Sequence, residues 1–204
     1  MKIILPVSGC NKSLLPTLES YGGVPLQVIP DTSLLGAKQP FFIPDYAPQC
    51  RAHLHVAVRV SRLGRCIDSR FAHRYYDAVT AVVRFTAHPL YEELHKQGLP
   101  CDVACSFDGS VAVGTFVPVN ASDKAQPKPL SLSLAVNGNE AMSIQTDDVR
   151  SAADDLVASA SLFHMLRQGD LLLSSEAAST FDVKIDDHLE VSVDGHVVRA
   201  FNVK

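Results

Sequence analysis

This chain of 204 residues lacks three features, and each absence removes a class of function. It has no long basic face and no basic motif interleaved with aromatics, and its formal charge is −4, so nucleic acid is not an expected partner. It has no long apolar run: the opening MKIILPV stays apolar for only a few residues and is broken by Pro6. That is too short for a signal-peptide core or a spanning helix, so no membrane partner is expected, and the location read from the sequence is cytoplasmic. It has no cysteine framework. Cys10, Cys50, Cys66, Cys101 and Cys105 are odd in number and irregularly spaced, which fits free thiols in a reducing compartment. Cys101 and Cys105 form the only close pair, and C-x3-C with no second pair does not complete a structural zinc site.

What is present is an ordinary soluble composition, 47% apolar and 20% charged, long enough for a single domain over residues 1–204. No internal repeat or domain boundary is visible. The clearest strand is AHLHVAVRV at 52–60. Side chains alternate along a strand, so Leu54, Val56, Val58 and Val60 share a core face while His53, His55, Ala57 and Arg59 share the other. Strand rise places the two imidazoles about 7 Å apart in one line.

Around that strand the pattern is β-rich. Short strands are expected at 2–7 and 24–29, and QPFFIP at 39–44, clamped between prolines, suits an edge strand or an extended arm. Asp68 caps an expected helix reaching about residue 76, because Phe71 and Tyr75 lie four apart. The run 78–86 returns to strand, interrupted by Arg84. Pro89, Lys96 and Gly98 mark a helix over 89–97. Residues 111–119 alternate as a strand. Asn137-Gly138 and Asp194-Gly195 each sit between alternating segments and predict hairpins. Between them lies one long amphipathic helix, capped by Asp147 and Asp148 and stopped at Gly169-Asp170. Strands at 171–173, 189–193 and 197–203 complete a β-rich α+β fold without βαβ rhythm.

The ordered set of landmarks resembles the fumarylacetoacetate hydrolase family, in the branch of small bacterial isomerases, hydrolases and 2-oxo-acid decarboxylases. The landmarks are PDTSLLGAKQPFFIPD at 30–45, AHLHVAVRVSRLGR at 52–65, RFAHRYYDAVTAVVRFTAHPLYEELHKQGLP at 70–100, CSFDGSVAVGTFVP at 105–118, LSLAVNGNE at 132–140 and GDLLLSS at 169–175. The resemblance implies a mixed β-sandwich roll with about three short helices, formed as a homodimer, with residues 1–28 a divergent lead-in. It also implies a pocket built around Mg²⁺ or a similar hard ion, held by a Glu-x-Glu pair on the central strand and an Asp on a later strand, since such ions select oxygen.

At those positions this chain carries His53, His55 and Arg84. Each exchange removes negative charge, and the last installs a permanent cation. The lysine expected before Ser-Phe-Asp is Cys105, and Arg-Asp after Thr-Ala is His88-Pro89. The Gly-Arg-Asn-Tyr motif is reduced to Gly9, Cys10 and Asn11, with Leu15 and Leu18 where the family's His and Glu fall. Its Thr-Gly-Thr-Pro loop reads Ser174, Ser175, Glu176 and Ala177.

The first expectation is therefore a non-catalytic or altered family member with no Mg²⁺ or Mn²⁺ site. An alternative keeps an active hydrolase, isomerase or decarboxylase of 2-oxo dicarboxylates, using zinc on His53, His55 and Cys105 as nitrogen and sulfur ligands. In a third reading Arg84 and the two imidazoles form a positive centre for a small carboxylate or other anion. Glu176 entering the same cavity would instead give an internal ion pair with Arg84. Ser174-Ser175 has no Gly-x-Ser-x-Gly elbow around it, and His73 and His95 read as solvated helix residues.

Overall fold

The computed structural model describes residues 1–6, 25–119, 128–174 and 179–204. Two long antiparallel strands form its spine, β3 (Cys50–Val60) and β4 (Tyr76–Ala87). They pair from Cys50↔Ala87 to Val60↔Tyr76, with one irregularity beside Arg59. Both are rich in valine and alanine and are buried on both faces, as expected when a sheet is covered on each side.

The remaining strands of the larger sheet build outward. β1 (Lys2–Pro6) pairs antiparallel with β2 (Leu26–Pro30) and parallel with β9 (Leu171–Leu173). β9 pairs with β3, and β5 (Val111–Val113) with β4, giving the order β2-β1-β9-β3-β4-β5. Short β6 (Val117–Pro118) also joins β4, and β10 (Phe181–Val183) joins β3. Just past β2, Leu34 bridges Val111 in parallel, and the Leu35 N–H donates to the Val111 carbonyl at 2.8 Å. That contact joins the two edges, so the sheet rolls around an inner core of Ile3, Leu5, Ile29, Ala57, Val82, Val111, Leu171 and Leu173.

A second, antiparallel sheet runs β12-β11-β7-β8, from β7 (Leu130–Val136), β8 (Asn139–Thr146), β11 (His188–Val193) and β12 (His196–Asn202). Both of its hairpins turn as expected. Asn137 and Gly138 have φ of 52° and 81°, Asp194 and Gly195 have 49° and 78°, and two consecutive positive values are what a type I′ turn needs. The main core lies between this sheet and the outer face of the roll, where Leu54, Val56 and Val58 meet Leu132, Leu134 and Val191.

Four α-helices occur among the described residues, two of them single turns: α1 (Ser69–Ala72), α2 (His88–Lys96), α3 (Asp102–Cys105) and α4 (Val149–Phe163). Asp68 and Asp148 cap α1 and α4 by accepting from the N–H groups of Arg70 and Arg150, each at 3.1 Å. Gly98, at φ 69°, follows α2. No helix among the described residues is long and apolar enough to cross a membrane.

Several boundaries differ from the sequence reading. The helix expected from Asp68 to about residue 76 ends at Ala72, because the Tyr75 carbonyl accepts from Ser61 and Tyr76 already pairs with Val60. α4 ends at Phe163, before Gly169, because Leu166 exchanges backbone bonds with Gly64. The strand expected over 111–119 breaks at Gly114, whose backbone packs so tightly that a Cβ there would lie 2.6 Å from Val198 Cγ2. QPFFIP is an extended arm. Phe41 bridges Val203, donates to Asn202 O and accepts from Lys204 N, while Ile43 donates to Lys204 O. Its ring is fully buried and stacked on Phe85 at 3.7 Å between centroids.

Candidate functional site

The register of β3 and β4 places His53 directly opposite Arg84 and His55 opposite Val82. All four side chains point into the roll. Sequence alternation had put the two imidazoles on one face; the pairing adds the guanidinium to the same layer. The three polar groups are buried, with His55 at 0% exposure, Arg84 at 4% and His53 at 8%.

Hydrogen bonds fix the ring of His55. Nδ1 lies 3.0 Å from the carbonyl oxygen of Ser174, which can only accept, so Nδ1 carries the hydrogen. In the neutral ring Nε2 is then a lone pair, and Arg84 donates to it from Nε over 3.5 Å. Ser174 is held in turn, since its N–H donates to the Val56 carbonyl and its hydroxyl accepts from the Val56 N–H, at 2.8 and 3.0 Å. His53 Nε2 lies 2.9 Å from Thr86 Oγ1, one alternation further along the same face of β4.

Cys105 closes α3 and is buried nearby. Its Sγ donates to the Cys101 carbonyl at 3.0 Å and accepts from Gln27 Nε2 at 2.8 Å. Burial pushes the thiol up, opposed by the Gln27 hydrogen bond and by the charge of Arg84, so the sulfur is a protonated thiol and not a thiolate. Glu176 lies outside the described residues, as do Gly9, Cys10, Asn11, Leu15, Leu18, Ser175 and Ala177.

Above the polar layer opens a cleft of about 340 Å³. His53, Arg84 and Thr86 form its floor, and α2 supplies one wall with His88, Tyr91, Glu92, His95 and Lys96. His88 Nε2 lies 3.0 Å from Glu92 Oε1, and the Tyr91 and His95 rings stack at 5.8 Å, 6° from parallel. His95, expected as a solvated helix residue, is exposed on α2 and also lines this cleft. Gln27, Thr86 and Tyr91 carried no motif signal, and Lys96 was marked only as a helix-end cation; periodicity along 88–96 combined with the position of Arg84 could have indicated the α2 wall. A second cavity, about 390 Å³, lies on the opposite face of β3. Val56, Val58 and Leu172 face Leu156 of α4 across it, in a lining that is mostly aliphatic with Thr146, Asp155, Ser159 and Ser174 as its polar members.

The donors present can be tested against a metal. Among the described residues, no three His, Cys, Asp or Glu side chains converge to hold one. A hard divalent ion wants carboxylate and carbonyl oxygen, whereas the floor here offers imidazole nitrogen and a guanidinium. Zinc on His53, His55 and Cys105 does not fit either: the His55 lone pair faces Arg84, and the Cys105 sulfur is tied to the Cys101 carbonyl and to Gln27. What the floor can do is hold negative charge on donors fixed by a buried network.

The architecture agrees with what the chain is similar to. Oxaloacetate tautomerase FAHD1, mitochondrial, of Mus musculus is 28% identical over 175 residues, 86% of this chain and 78% of its own. Oxaloacetate tautomerase YcgM of Escherichia coli (strain K12) is 26% identical over 171 residues, 84% of this chain and 78% of its own. The crystal structure of fumarylpyruvate hydrolase from Pseudomonas aeruginosa in complex with Mn2+ and pyruvate has the same fold, with a TM-score of 0.78 at 17% identity over 99% of this chain and 88% of that one. Residues 24–202 match the family model described as fumarylacetoacetate (FAA) hydrolase C-terminal, and on that match the chain belongs to the fumarylacetoacetate hydrolase family.

Proposed function

We propose that this family member holds a small carboxylate through the cation of Arg84, without a divalent metal, and that it has lost metal-dependent tautomerisation, hydrolysis and decarboxylation. One observation carries the reading: Arg84 Nε donates to Nε2 of His55, so the imidazole nitrogen that could ligate a metal is occupied by a cation. Where the resemblance implies three carboxylates, the roll presents two imidazoles and a guanidinium on one buried layer. A carboxylate entering the cleft would meet Arg84 at the floor, with Lys96 on the α2 wall beside a His88 that is already paired with Glu92.

Two measurements test this. Purified protein is assayed for oxaloacetate tautomerisation and decarboxylation with added Mg²⁺ or Mn²⁺, and turnover that depends on either ion overturns the reading. Thermal melts with pyruvate or malonate should rise with ligand concentration in the wild type and stay flat in Arg84→Met. Glu176→Gln addresses the competing ion pair. If Glu176 neutralises Arg84, that variant gains ligand-induced stabilisation that the wild type lacks.

A further inference from the structure

Away from the cleft, arginine is concentrated on one surface. Arg62, Arg65, Arg70 and Arg74 lie within residues 62–74, and all four are exposed. The Gly64–Leu166 bridge, with N–H to O distances of 3.0 and 2.8 Å, lays residues 63–65 alongside 165–167 and adds exposed Arg167. α1 packs against α4, and the Cys66 and Ile67 N–H groups donate to the Ser161 carbonyl and hydroxyl at 2.9 and 2.8 Å, which sets the segment leading into α1 against the last turns of that helix. Large apolar side chains stand among the cations: Leu63 is 65% exposed, Met165 47% and Phe163 40%.

The charges on this surface are poorly neutralised from within. Among the described residues Arg70 pairs with Asp68 at 3.2 Å, while the side chains of Arg62, Arg65, Arg74 and Arg167 pair with no carboxylate. The nearest buried acid, Asp170, is taken up by Lys2 and by the Arg167 backbone N–H. Arg70 and Arg74 lie over the Phe71 ring, 4.7 and 5.0 Å from its centroid, so one exposed ring orients two guanidinium groups.

We propose that this surface docks an acidic amphipathic segment of another protein. The chain as a whole carries a formal charge of −4, so five exposed arginines on one side are a local reversal that calls for a negative partner. Planar forks suit the bidentate geometry of side-chain carboxylates. Exposed methionine and phenylalanine among arginines match the side chains enriched at protein interfaces, and arginine is among the residues that carry most of the affinity there. Ring-held guanidinium groups also lose less freedom when they pair.

The probe is a labelled helical peptide with glutamates on one face and leucine and phenylalanine on the other, followed by fluorescence anisotropy against the full chain. The expected result is saturable binding, weakened about tenfold or more in Arg65→Glu/Arg74→Glu and also in Leu63→Ser/Met165→Ser. An all-polar peptide of equal charge should bind about tenfold more weakly. Absence of binding, or binding indifferent to both double variants, overturns the proposal. So does capture of the protein by phosphatidylserine vesicles without peptide binding, which assigns the surface to a membrane. Sedimentation gives the last arm: if Arg65→Glu/Arg74→Glu splits a dimer into monomers, the surface belongs to a second copy of this chain and the proposal fails.

Discussion

Arg84 reaches His55 from the neighbouring strand, Nε to Nε2 at 3.5 Å, inside a buried layer at the foot of the cleft. The guanidinium and the imidazole therefore define each other: the ring presents its lone pair because Ser174 takes the opposite hydrogen, and that lone pair orients the cation.

Restoring acids to the layer should restore metal. The triple variant His53→Glu, His55→Glu and Arg84→Asp places three carboxylates on adjacent positions of a register already set by β3 and β4. Calorimetric titration should show Mn²⁺ binding to the triple variant and none to the wild type. A wild type that binds Mn²⁺ as well would contradict the account of the floor.

Removing the arm's anchor should be costly. Phe41 is fully buried and stacked on Phe85, so Phe41→Ala is expected to lower unfolding free energy by about 3–5 kcal/mol. Urea titration reads this directly, and a loss below about 1 kcal/mol would mean the arm adds little to the core.

Gly114→Ala tests the break between β5 and β6. The added methyl would meet Val198 Cγ2 at 2.6 Å, Thr80 Oγ1 at 2.7 Å and the Ala81 carbonyl at 3.1 Å. Because a backbone atom is among the three, relief by side-chain rotation is incomplete, and about 1–3 kcal/mol of destabilisation is expected in thermal melts.

Thiol chemistry should separate the cysteines. Among the described cysteines Cys66 is exposed and should be alkylated first at pH 8, while buried Cys50 and Cys105 resist. Burial raises the Cys50 thiol from 9.0 to about 11. A raised folded value means its contribution is fully present below 9.0 and is lost as pH rises through about 11. Between pH 8 and pH 11 the wild type should thus lose on the order of 2 kcal/mol more stability than Cys50→Ala.

Much of this fold can be read in the sequence because its signals are local. Alternation at 52–60, the Asn137-Gly138 and Asp194-Gly195 turns and the Asp148 cap each depend on a few neighbouring residues, and all appear where expected. Signals set at long range are invisible in one dimension. β10 is three residues long and exists because Phe181 finds Ala52, and α4 stops early because Leu166 finds Gly64. The site divides the same way. His53, His55, Arg84 and Cys105 stand out by type and position, whereas the cleft wall of His88, Tyr91 and His95 follows from how α2 lies over β4. The arginine surface is partly legible, since Arg62, Arg65, Arg70 and Arg74 fall within residues 62–74, but Arg167 joins the group only through the Gly64 bridge.

The arm at Phe41 has a consequence for biosynthesis. Its backbone partners are Asn202, Val203 and Lys204, more than 150 residues downstream of the ring they secure. A nascent chain emerging from the ribosome can pair β3 with β4 early, yet the aromatic stack beneath the arm has no backbone partner until those distant residues arrive. Until then Phe41 and Phe85 remain open to water, and a stalled or prematurely terminated polypeptide would expose them as a sticky surface for chaperones or proteases.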